Sequence, residues 1–231
     1  MSILDKITAK KEVKHTAENN FKLNFGDQMI VGFDRSKSMQ TKDCPGGLSR
    51  FVYVQNTMRG FIRRANDFDP DGVSFYFFNN QVSAHPDVAT PEEIDKIIDT
   101  LQPDGGTATD LVIKAAYAEH KNKKAQATPE EQKDYQTFFL LFTDGEPNDK
   151  HAVEQEIIKI TKDVVDPEEF RIAILTVGKI DSSLAKWLKD LDDNLTKKGA
   201  KYDIVSIHAF DHVTFEQAIA DAITGESSPE N

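Results

Sequence analysis

Two short apolar runs that each end in a carboxylate constrain this chain more than any other feature. They are Gln28–Asp34 (Gln-Met-Ile-Val-Gly-Phe-Asp) and Thr137–Asp144 (Thr-Phe-Phe-Leu-Leu-Phe-Thr-Asp). Both are brief and bounded by turn residues, which makes them buried strands rather than helices. Near-continuous apolarity, without alternation, belongs to strands covered on both faces, as in parallel sheets. The rest of the chain fits that reading. Behind Ser49, a helix N-cap, Phe51, Val54, Met58, Phe61, Ile62 and Ala65 recur at three- and four-residue steps. Gly72–Phe78 is a second strand, and Gln81–Val88 pairs with it through an Asn79-Asn80 turn. Thr90 and Pro91 open a helix to Leu101, with Thr90 as cap and Pro91 at the first helical position.

Further along, a Gly-rich loop over Gln102–Thr107 leads into a helix from Thr109 to His120, and the polar stretch Lys121–Asp134 is a surface excursion. Helix 152–165, strand 171–177, helix 183–195, strand 203–210 and helix 214–224 complete the alternation. The expected fold is therefore α/β: a doubly wound, Rossmann-like domain whose mostly parallel sheet carries one antiparallel edge strand, with helices on both faces. Residues 1–21 form an N-terminal extension with a short amphipathic helix around Ile3, Leu4 and Ile7, residues 22–224 the domain, and residues 225–231 a frayed tail.

Composition narrows the partners. The formal net charge is -11 and the pI is about 5.0. Nucleic acid and anionic membranes both call for a dense Lys/Arg face, so neither is expected. A single cysteine, Cys44, cannot close an internal disulfide. It sits in a polar loop beside Pro45-Gly46, a place that allows exposure near the site, and with no motif to make it a nucleophile it is read as an incidental thiol. The N-terminus lacks an apolar signal region, and no apolar run approaches the ~20 residues that span a bilayer. A cytoplasmic location is expected.

Three separated fragments point to one place. Asp34-Arg-Ser36-Lys-Ser38 follows the first strand, Gly105-Gly106-Thr107-Ala-Thr109 precedes a helix, and Thr143-Asp144-Gly145 ends a later strand. In a doubly wound sheet, sites form outside the carboxyl ends of the strands. If their strands are neighbours, Asp34 and Asp144 stand side by side and repel, and a divalent cation removes the conflict. Carboxylates and hydroxyls without His or Cys suit Mg²⁺ or Mn²⁺, less clearly Ca²⁺, and not zinc or copper. Gly105 and Gly106 allow the backbone to bring a threonine close.

This joint pattern resembles the metal-ion-dependent adhesion site of von Willebrand factor A domains, in the expected order and over roughly Lys22–Thr224. The resemblance implies Asp34, Ser36, Ser38, Thr107 and Asp144 as metal residues. Thr109 is the alternative to Thr107, and the family's spacing favours Thr107. One departure is Lys37, where many members have Gly. In such sites the two serines and the threonine touch the metal, the aspartates act directly or through water, and a partner protein's Asp or Glu carboxylate fills an open position. The chain resembles free-standing intracellular bacterial members, which serve as adaptors for ATPase-associated machines or in stress-response clusters.

Other readings compete. A domain of this fold that binds no metal is one. A metal-dependent hydrolase or phosphatase is another, but an aspartyl-phosphate enzyme needs a second Asp at position 36, where Ser36 stands. Neither G-x-S-x-G, nor a phosphate-binding G-x-x-x-x-G-K-[ST], nor G-x-G-x-x-G is found. Asp67-x-Asp69-x-Asp71-Gly72 opens like a calcium loop, but Phe78 occupies the twelfth position, where a coordinating Glu is required. The six histidines are scattered and expected to be structural or superficial. Glu146 and Asp149 are placed on the rim of the metal face. Trp187 is placed with Leu184, Leu188 and Leu191 on a core-facing stripe, and Lys121, Lys123 and Lys124 in solvent.

Overall fold

The computed structural model of the protein describes residues 27–65 and 72–210. Its centre is a sheet of six strands: β1 Gln28–Asp34, β2 Val73–Phe78, β3 Val82–Val88, β4 Thr137–Thr143, β5 Phe170–Thr176 and β6 Val205–Ala209. Their order is β3-β2-β1-β4-β5-β6, parallel throughout except for the antiparallel pairing of β3 with β2. The expected architecture is therefore present, including its single antiparallel edge strand.

Among the described residues five α-helices cover the sheet: α1 Arg50–Ala65, α2 Pro91–Ile98, α3 Thr109–Gln126, α4 Lys150–Asp163 and α5 Ser182–Asp193. Strand periodicity sorts the core into two layers. On one face Met29, Val31, Phe33, Phe138, Leu140 and Phe142 meet Phe51, Val54 and Met58 of α1 and Ile94 and Ile98 of α2. On the other, Ile30, Phe139, Leu141, Ile172 and Ile174 meet Val112, Ile113 and Ala116 of α3, Val153 and Ile157 of α4, and Leu191 of α5. Every residue of β1, β2 and β4 is buried, so their unbroken apolarity reflects cover on both faces.

Local signals hold where they are chemical. Thr90 accepts from the Glu93 N–H while the Glu93 carboxylate accepts from the Thr90 N–H, a reciprocal cap with Pro91 at the first position. Asp149 and Asp181 cap α4 and α5 through the N–H groups of Ala152 and of Ser183 and Leu184. Asp149 thus serves helix initiation, and Glu146 pairs with Lys150 of the same turn.

Some expectations are corrected. The helix from Thr109 does not stop at His120 but runs to Gln126, because Lys121, Lys123, Lys124, Ala125 and Gln126 are good helix formers although the segment lacks an apolar stripe. The three lysines there are paired, Lys121 with Asp163, Lys123 with Asp87 and Lys124 with Glu169. Cys44 is buried in the α1-side core, since the loop around it folds back through a bridge to Leu48. The amphipathic segment around Ile3, the Asp67–Asp71 turn and helix 214–224 lie outside the described residues.

At the end of the sheet opposite the strands' carboxyl ends, a buried polar chain links α3 to the strands. Ser74, Tyr76 and Gln28 donate to the Glu119 carboxylate. His120 is fully buried between Thr137 at 2.8 Å and Glu169 at 3.2 Å. An ionised Glu169 only accepts, so Nε2 of His120 carries a proton toward it. The outermost strand, β3, carries Pro86, and Asp87 there adopts φ 54, with a register shift against β2 opposite.

Burial holds the His120 imidazole below its ordinary pKa. The unfolded chain then binds the proton more readily, so the stability contributed by neutral His120 is complete above its unfolded pKa of about 6.5 and declines below it. In urea denaturation, the stability difference between the protein and His120→Gln should be constant above about pH 7 and shrink below about pH 6. A difference independent of pH would contradict this account.

Candidate metal centre

The strand order runs outward in both directions from the β1–β4 pair, first to β2 and β3, then to β5 and β6. That pair is the switch point of the sheet, where the loops at the carboxyl ends diverge and leave a crevice. Asp34 is the last residue of β1, and Thr143-Asp144 close β4 beside it. Asp34 and Asp144 are 0% and 3% exposed, so two carboxyl groups are buried at one point.

Hydrogen bonds distribute these oxygens sparingly. Asp34 accepts from the Ser36 N–H (2.7 Å) on one oxygen and from the Thr143 hydroxyl (2.7 Å) on the other. Asp144 accepts the Ser38 hydroxyl (2.7 Å) on Oδ1, and the Ser36 and Ser38 hydroxyls lie 2.9 Å apart. A Cβ placed on Gly145 would stand 3.4 Å from Ser38 Oγ and 3.7 Å from Thr107 Oγ1. Both hydroxyls therefore border the same small space beside Gly145. Thr109, the alternative threonine, lines a small cavity with Thr143, Asp144, Gly145, Ile174 and Trp187.

Thr107 is delivered by an asparagine scaffold. Its N–H donates to Asn148 Oδ1 (2.9 Å), and its carbonyl accepts the Asn148 N–H (2.8 Å). Asn80 Oδ1 in turn accepts from Asn148 Nδ2 (3.1 Å) and the Gly106 N–H (3.2 Å). A Cβ on Gly106 would fall 2.5 Å from Asn148 Oδ1 and 2.6 Å from Asn80 Oδ1, so only glycine permits this approach. The Lys37 N–H reaches the Gly105 carbonyl at 3.1 Å, tying the loop after β1 to the loop before α3. The side chain of Lys37, the departure from the familiar pattern, points to solvent.

A residue that the sequence did not single out completes the centre. Arg50, the first residue of α1, extends under the loops. It donates to Asp43 through Nε (2.8 Å) and Nη2 (2.6 Å), to Asp144 Oδ2 through Nη1 (2.9 Å), and to the Lys179 carbonyl through Nη2 (2.9 Å). Three loops, after β1, β4 and β5, thereby share one guanidinium. Hydrogen bonds from Arg50 hold the Asp43 carboxyl down at a pKa of about 2, and those with Asp43 and Asp144 push the guanidinium up. Only long-range placement marks Arg50; its sequence neighbours carry no signal for it.

Asp34 stands in the opposite condition. Burial, reinforced by the nearby Asp144 charge, pushes its pKa up to about 7 despite the hydrogen bonds from Thr143 and Ser36. A buried carboxylate under that strain, facing three neutral hydroxyls, fits a hard divalent cation. Asp34, Ser36, Ser38, Thr107 and Asp144 carry oxygen donors alone.

Fold and site together define an α/β domain with an acidic, hydroxyl-lined crevice at the switch point of its sheet. The family model described as von Willebrand factor type A domain matches residues 29–222, and the chain belongs to that family. Solved structures agree at the level of the fold. The manganese-loaded TRAP protein of Plasmodium vivax aligns with TM-score 0.57 at 14% identity, over 86% of this chain and 72% of that one. The SpRpn10 VWA domain aligns with TM-score 0.59 at 13% identity, over 88% of this chain and 96% of that one. No curated protein sequence matches the chain.

Gly178 offers a test of the clamp. Its φ is +73°, and a Cβ there would lie 2.2 Å from Arg50 Nε and 2.7 Å from Asp43 Oδ1. Gly178→Ala should lower folding stability by about 1–3 kcal/mol in metal-free buffer, from the left-handed backbone and the displaced guanidinium together. An unchanged urea midpoint would mean that the clamp does not contribute to folding.

Proposed function

We propose that the protein is a metal-dependent protein-binding module whose divalent cation is held by Asp34, Ser36, Ser38, Thr107 and Asp144. One observation carries the reading: these five side chains come from three separate loops and gather at the switch point of the sheet. Neutral hydroxyls supply much of the donor set, and Asp34 and Asp144 supply two charges, enough to balance a divalent ion and no more. Mg²⁺ or Mn²⁺ fits this hard oxygen set best, and Ca²⁺ less well. When bound, the metal would offer an open position to an oxygen anion at the rim of the crevice. An Asp or Glu carboxylate of a partner protein is the proposed occupant, strengthened as water is excluded around it.

The family's general use as an interaction module supports this reading over catalysis. Hydrolysis at a metal also calls for a general base beside the reacting water. Three charged side chains of the surrounding loops are instead committed to structure: Asp43 to Arg50, Asp149 to the α4 cap, Glu146 to Lys150. Among the described residues no helix is long and apolar enough to cross a membrane. The proposed setting is an intracellular adaptor, in a bacterial stress-response or ATPase-associated complex, as in the free-standing members the sequence resembles.

Calorimetric titration of the metal-stripped protein with Mg²⁺, Mn²⁺ and Ca²⁺ tests the proposal. Saturable binding at one site is expected, with a rise in melting temperature. Asp34→Ala and the Ser36→Ala/Ser38→Ala pair should abolish both. No binding by the unaltered protein would leave a domain of this fold without a metal. Metal-dependent phosphoester turnover that disappears in Asp34→Ala would make it an enzyme.

A further inference from the structure

Arg50 stands where its charge is locally unwelcome. It opens α1, and the unpaired N–H groups of a helix's first turn favour negative side chains. Its side chain is only 9% exposed, yet it keeps its charge because each arm of the guanidinium finds an acceptor. Joining the loops would need only Asp43 and the carbonyls of Asp144 and Lys179. The 2.9 Å bond from Nη1 to Asp144 Oδ2 does something more. It takes the Asp144 oxygen that Ser38 leaves open, so both oxygens of that carboxylate are engaged. Asp34 has no such cation; its partners are the Ser36 N–H and the hydroxyls of Thr143 and Ser36.

We propose that Arg50 is a positioning residue that holds Asp144 back from direct ligation of the cation, leaving the neutral hydroxyls of Ser36, Ser38 and Thr107 as the direct donors on that side. The inference rests on the metal reading above and adds to it the origin of the site's appetite for an external carboxylate. A carboxylate that already accepts a hydroxyl proton and a guanidinium proton has little density left to give. Ser38, donating its proton to Asp144, turns its lone pairs away from that carboxylate. Charge on the cation then stays under-compensated, which favours an incoming anion. Without Arg50, Asp144 Oδ2 is free to ligate directly, which satisfies the cation from within and weakens the call for a partner.

The test uses Mn²⁺ alone as probe, then acetate as a stand-in for the partner's carboxylate. D43N/R50Q removes the buried charge pair together, so that neither member is left unpaired. Bound Mn²⁺ is quantified by electron spin resonance, and its exchangeable waters by water-proton relaxation. Relative to the unaltered protein, the variant should bind Mn²⁺ at least as tightly, lose one exchangeable water and show several-fold weaker acetate binding to the Mn²⁺-loaded site. If far-UV circular dichroism shows that D43N/R50Q does not fold, Arg50→Lys carries the same test, because one ammonium cannot serve Asp43 and Asp144 as the fork does. An unchanged water count, with saturable binding by the unaltered protein, overturns this inference alone. Failure of the unaltered protein to bind Mn²⁺ overturns the metal reading and this inference with it.

Discussion

Two carboxylates buried side by side set the terms for everything at the carboxyl edge of this sheet. Asp34 and Asp144 terminate adjacent parallel strands, and the hydrogen-bonded register of β1 on β4 leaves them no room to diverge. A group buried beside a like charge must lose its charge, find a cation or be surrounded by donors. The two residues divide these solutions. Asp144 has Arg50, while Asp34 has a backbone N–H and the neutral hydroxyls of Thr143 and Ser36 and is pushed up to about 7. The unequal treatment of two chemically identical side chains is what makes the crevice a candidate for a cation.

Loops that hold such a crevice must be stiff, since each hydroxyl has to arrive at one point from a different part of the chain. The asparagines do this for Thr107, and the arginine fork does it for the loops after β1, β4 and β5. Behind them the strands are sealed by two apolar layers, so the loops are anchored on a scaffold with little freedom to adjust. This division between a packed scaffold and polar loops is the usual way that a fold carries binding function.

How far the sequence spoke follows from the distance over which each cause acts. Strands sealed on both faces announce themselves as unbroken apolar runs, and helix caps such as Thr90 with Glu93 are local chemistry, so both were legible. The five proposed metal residues were legible because their motif is written in short blocks whose order the fold respects. Arg50, Asp43, Asn80 and Asn148 were not. Each acts through a partner dozens of residues away or through a loop crossing, and an Arg at the start of a helix or an Asn in a turn has commoner explanations. The extent of α3 was underestimated for a related reason: its last turns are stabilised by propensity and by ion pairs with Asp87 and Glu169, which no apolar periodicity records. Cys44 was misplaced because a polar loop can bury one side chain when its backbone doubles back.

The irregular outer strand has a consequence for the protein's life in a crowded solution. A sheet that ends in a straight, unpaired edge offers its free N–H and carbonyl groups to any extended chain that drifts past. In β3, Pro86 removes one donor and Asp87, at φ 54, turns the backbone out of line. Lys123 of α3 reaches the Asp87 side chain and sets charge beside that bend. The strand can close the sheet against β2 and still be a poor template for a second copy. A second copy of the domain thus finds little to pair with along β3.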